Sequence, residues 1–155
     1  MNLLIDAVSV ILLGIIAYQD FKRRSIYWVL IPISLVLFLV KGILFMDVKD
    51  FFLFFLSNVA FVVLQLACLL LYFSIKNRKF TNIVDTYMGL GDLLFFIVIA
   101  AAFSTVNFIL FYTAGLIITL VSFMIFKTIN KNAGKEIPLA GAMASLMILC
   151  FVFKY

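Results

Sequence analysis

Long apolar runs separated by short basic patches make up this chain. The runs are Leu3 to Tyr18, Ile26 to Met46, Phe51 to Ile75, Leu93 to Phe126 and Ile137 to Phe153. A helix that crosses hydrocarbon needs roughly 20 residues, so four of the runs predict one crossing each, with Lys41 near enough to the end of the second to snorkel. Leu93 to Phe126 is different, because its 34 uncharged residues would make one helix of roughly 51 Å against a core of about 30 Å. The polar break Ser104, Thr105, Asn107 predicts a tight outer turn inside it. The first half then spans only if its helix begins near Tyr87, which draws Asp92 into the membrane or its boundary. A single tilted crossing is the alternative, and it would put Lys127, Lys131 and Lys135 outside.

Composition supports lipid as the main solvent. Of 155 residues, 67% are hydrophobic and 12% charged, whereas a soluble domain carries about a quarter of its residues as charges. Six crossings would consume about 120 residues, so the expectation is one integral membrane domain over residues 1–155: an all-α bundle of six transmembrane helices. The net charge of +5 is read as topology rather than as affinity for nucleic acid. Lys22, Arg23 and Arg24, then Lys76, Arg78 and Lys79, then Lys127, Lys131 and Lys135 fall in the three loops on one side, leaving Lys41, Lys49 and Lys154 for the other. Nine against three predicts both termini outside the cytoplasm. Basic residues follow the first run and do not precede it, so that run is expected to be a retained helix and not a cleaved signal.

Several chemistries are excluded at once. With no histidine, zinc-protease and serine-histidine motifs have no imidazole to use. Cys68 and Cys150 lie inside apolar runs without a CxxC pair and read as small core residues. No metal or cofactor is expected, and there is no nucleotide-binding glycine loop.

Ionisable groups at the edge of an apolar span need an account. Asp20 closes the first helix and Asp92 opens the fourth, so on this topology both sit at the cytoplasmic boundary and share a depth. Taken singly, each has a plain explanation as a wet helix end or a cap. The local string Gly89, Leu90, Gly91, Asp92 alters the weighing, since two glycines weaken a helix start and let a second backbone approach the carboxylate. Together the two acids form a candidate aspartyl dyad, one carboxyl protonated and the other drawing a proton from water, titrating as a unit. Asp85 and Glu136 are the other acids on that side. Asp85 precedes Asp92 by seven residues, about two turns if the helix reaches back that far. They are candidates for receiving a cationic substrate segment, with solvated boundary residues as the plain reading.

These motifs resemble a small type IV prepilin peptidase, of the GxGD intramembrane aspartyl protease class. Asp20, Phe21, Lys22, Arg23, Arg24, Ser25, Ile26 fits the family's first motif, although Tyr27 and Trp28 stand where the family has Pro-Asn. Gly89, Gly91 and Asp92 fit the second, with Leu94 in place of the usual Lys. A late Ile-Pro followed by small residues recurs as Ile137 to Ala142. The resemblance implies catalytic Asp20 and Asp92 and cleavage of a pilin-like precursor at the cytoplasmic face, between a short basic leader and the hydrophobic helix after it. Larger relatives also methylate the new N-terminus through an additional cysteine-containing segment. That segment is not found here, so peptidase activity alone is expected.

Two other readings compete. Presenilin and signal peptide peptidases share Gly-Leu-Gly-Asp, but they carry a Tyr-Asp first motif and a late Pro-Ala-Leu, where this chain has Tyr18, Gln19, Asp20 and Ile137, Pro138, Leu139. A small proton-coupled transporter or a secretion-assembly subunit would use the Asp pair as a relay or a scaffold. No inverted repeat speaks for a transporter.

Overall fold

The computed structural model describes residues 2–78, 89–129 and 137–153. Among them are six helices and no strand: α1 (Asn2–Arg23), α2 (Leu30–Phe45), α3 (Val48–Asn77), α4 (Leu90–Ala102), α5 (Thr105–Ile129) and α6 (Leu139–Val152). Each boundary has a local cause. Arg24 turns left-handed at φ 50° and closes α1 by donating its amide to Asp20 O. Asp47 caps α3 by accepting from the Lys49 amide at 3.1 Å. The expected turn near Ser104 is present, with Phe103 extended after α4 and the Phe108 amide donating back to Ser104 O at the start of α5.

The helices do not all have spanning length. Three are long and apolar enough to cross a membrane, running within Leu4–Arg23, Val48–Lys76 and Thr105–Ile129. The other three have 16, 13 and 14 residues, or roughly 20 to 24 Å at 1.5 Å per residue. The expectation of six helices each crossing the full core is corrected in this respect. In particular, α4 begins at Leu90 and not near Tyr87, because Gly89 is extended (φ −66°, ψ 141°). The residues before Gly89, Asp85 among them, lie outside the described residues.

Packing is uneven. α1 packs most extensively on α6, and α2 on α4, while α3 and α5 complete the bundle around α4. The core is Leu13 and Ile16 from α1, Phe38 from α2, Phe95, Phe96 and Ile99 from α4, Phe108 and Tyr112 from α5, and Met143 and Met147 from α6. Phe38, Phe151, Phe103 and Phe111 form a continuous stack across α2, α6, the turn after α4, and α5. The outer faces stay apolar: Leu53, Leu56, Leu64, Leu71 and Ile75 of α3 are all exposed, an area of hydrocarbon that water would not tolerate and lipid does.

One polar pair within the apolar runs escaped the sequence reading. Lys41 is not simply snorkelling; its Nζ donates to Asp6 Oδ1 at 2.6 Å and lies 4.5 Å from the Phe151 ring centroid. Asp6, a charge inside the first run, is thereby partnered, and the pair ties α1, α2 and α6 together at the end away from Asp20.

Candidate active site

The site forms where the C-terminus of α1 and the N-termini of α4 and α6 meet. A helix start leaves its first amides without intrahelical acceptors. In α6 the ladder begins with Ala142, whose amide donates to Pro138 O at 3.1 Å. The two amides before it point instead at carboxylates: Ala140 N donates to Asp92 Oδ1 at 2.9 Å, and Gly141 N to Asp20 Oδ2 at 2.5 Å. Residues 72 positions apart in sequence are thus held by consecutive amides, whose Cα atoms are about 3.8 Å apart. Their charges act on one another. The positive end of the α6 dipole favours negative charge at this point.

Asp20 is 6% exposed, and Asp92 is partly buried at the third position of α4. Arg24, just past the end of α1, also acts electrostatically on Asp20. Desolvation of two neighbouring carboxylates is costly unless hydrogen bonds or a shared proton relieve it. The α6 amides provide part of that relief.

Glycine permits the geometry at Gly141. A Cβ built there would lie 2.9 Å from Asp20 Oδ2, 3.0 Å from Asp20 Cβ and 3.3 Å from Ala17 O. α1 and α6 can approach this closely only because the side chain is absent. Gly89 and Gly91 behave differently: a Cβ at 89 would meet Asp92 Oδ2 at 3.4 Å, and one at 91 would meet Ile26 at 3.6 Å, ordinary contacts. Gly89, just before α4, is exposed.

The sequence-derived acids Asp20 and Asp92 are therefore brought together, with Gly89 and Gly91 beside Asp92. Asp85 and Glu136 lie outside the described residues. Two contributors were not singled out from sequence, the amides of Ala140 and Gly141. The late Ile-Pro with its small residues was the available signal. Another lies at the far end of α4, where the buried Asn58 amide donates to both Ala100 O and Phe103 O at 2.9 Å. It satisfies carbonyls that the helix end leaves open and ties α3 to the end of α4. Among the described residues no group of His, Cys, Asp or Glu is arranged to hold a metal.

Compared with models of known protein families, with curated proteins and with solved structures, the chain matches none.

Proposed function

We propose that the chain is an intramembrane aspartyl endopeptidase similar to the small type IV prepilin peptidases, removing the basic leader of a pilin-like precursor at the cytoplasmic face of the cell membrane. The observation that carries this reading is the convergence of Asp20 and Asp92 on the Ala140 and Gly141 amides. In the reaction, the ionised member of the dyad takes a proton from water while the protonated member gives its proton to the scissile carbonyl oxygen. The water oxygen bonds to the carbonyl carbon, giving a tetrahedral diol. Breaking the C–N bond then sends a proton to the leaving nitrogen, and the dyad returns to its one-proton state. No metal or cofactor enters the scheme.

The proposal includes six membrane segments with both termini outside, supported by the nine-to-three bias of Lys and Arg. The short α4 and α6 fit it if their N-termini line a water-reached recess, since non-helical backbone at membrane depth is tolerated only where protein or water surrounds it. Leader recognition by Asp85 and Glu136 belongs to the same proposal.

One observation favours a second, non-catalytic reading, in which the protein is a transporter or assembly subunit. Both carboxylates already cap α6, and a cap needs no chemistry. Incubating purified protein with a pilin-like precursor, with and without Asp92→Asn, separates the two. Shortening of the precursor that depends on Asp92 supports the peptidase, and no shortening by the wild type supports the scaffold.

A further inference from the structure

The turn from α1 into α2 carries a cluster that the aspartyl site does not use. Lys22 Nζ donates to Tyr18 Oη at 2.7 Å and lies 5.1 Å from that ring's centroid. Arg23 Nη1 donates to Tyr27 Oη at 2.7 Å, with its guanidinium 5.8 Å from the ring centroid. The Tyr27 amide in turn donates to Gln19 Oε1 at 3.1 Å, which fastens the turn back onto α1. All four side chains are exposed, and Trp28 beside them is 76% exposed.

The chemistry of this corner is one-sided. A tyrosine oxygen that accepts from a cation still has its own O–H to give. Tyr18 and Tyr27 therefore offer donors beside two positive charges, and no Asp or Glu occurs between Phe21 and Met46. The nearest acid in sequence, Asp20, is buried and bound to Gly141. Exposed Tyr and Trp beside Lys and Arg, at the end of a helix long enough to span, suit the headgroup level of a bilayer, where amphipathic rings settle.

We propose that this corner binds the phosphate of an anionic phospholipid, with Lys22 and Arg23 as the charges, the Tyr18 and Tyr27 hydroxyls as hydrogen-bond donors, and Trp28 against the upper acyl chain. The proposal needs only that α1 lies in a bilayer and is independent of any peptidase activity.

Trp28 is the chain's one tryptophan, so its fluorescence reports this corner alone. The full-length protein is reconstituted into phosphatidylcholine vesicles containing a minor fraction of either brominated phosphatidylglycerol or brominated phosphatidylcholine, at equal mole fraction. Bromine on the acyl chain quenches an indole in contact with it. A basic residue near a membrane surface favours an anionic lipid by roughly fivefold, so quenching by the glycerol lipid should exceed that by the choline lipid several-fold. Lys22→Gln with Arg23→Gln should erase the difference. Lys22→Arg should keep it, as should Lys127→Gln at another basic patch. Millimolar inorganic phosphate should leave it in place. Equal quenching by the two lipids in the wild type overturns the proposal. So does a preference that survives the double Gln variant, one lost equally in Lys127→Gln, or one displaced by free phosphate.

Discussion

Gly141 and Asp20 stand so close that one methyl group would not fit between them: a Cβ on residue 141 would sit 2.9 Å from Asp20 Oδ2. Gly141→Ala must therefore push α6 off α1 or break the Gly141 N to Asp20 bond. Overpacking of this kind costs about 1–3 kcal/mol. We expect a lower unfolding temperature in detergent and at least a tenfold loss of precursor cleavage. Gly14→Ala is the control, since nothing lies within 4 Å of its added Cβ and alanine is the better helix former. It should be neutral or slightly stabilising. Equal behaviour of the two variants would mean that the α1–α6 contact is looser than described.

Gly89→Ala with Gly91→Ala tests whether a substrate backbone approaches Asp92 past these glycines. Neither added Cβ clashes in the resting protein, so thermal stability should change little while turnover of precursor falls, because the methyl groups occupy the space a substrate backbone would enter. Wild-type cleavage by the double variant would reduce both glycines to loop residues.

Asn58→Leu removes two donors at once and leaves the carbonyls of Ala100 and Phe103 without that partner. An unsatisfied buried polar group costs about 1–3 kcal/mol. The expected result is a clear fall in unfolding temperature. An unchanged value would show that other groups satisfy the end of α4.

The proposed topology is tested with compartment reporters fused after Tyr155 and within Lys131 to Lys135. They should report opposite sides of the membrane, the first outside and the second cytoplasmic, as the distribution of Lys and Arg predicts. The same side for both would remove the last crossing.

The helical fold and the two acids were legible because apolar runs and isolated membrane charges are strong signals over few residues. The break in the 34-residue run was legible from Ser104, Thr105 and Asn107, and α4 does end just before it, at Ala102. Helix length was not. Counting apolar residues cannot register that Gly89 is extended, or that α6 begins only after Pro138. Nor could it pair Asp6 with Lys41, which depends on how α1 and α2 align across 35 residues. The contribution of Ala140 and Gly141 was hidden for a different reason. It comes from backbone amides, which every residue but proline has, and only tertiary packing decides which of them meets a carboxylate.

In the proposed function Asp20 and Asp92 act as one catalytic unit and not merely as caps of α6. Asparagine separates these roles, because its side-chain oxygen still accepts from a helix amide about as well as a carboxylate does but cannot take a proton from water. Precursor cleavage should be measured for the wild type, Asp20→Asn, Asp92→Asn and the double variant, each with its unfolding temperature. Near-native stability is expected in all three variants, with loss of cleavage by about a thousandfold or more in either single variant and no further loss in the double, as for groups that work as a unit. Substantial cleavage by either single variant, or a wild type that leaves the precursor intact, would contradict the proposed function.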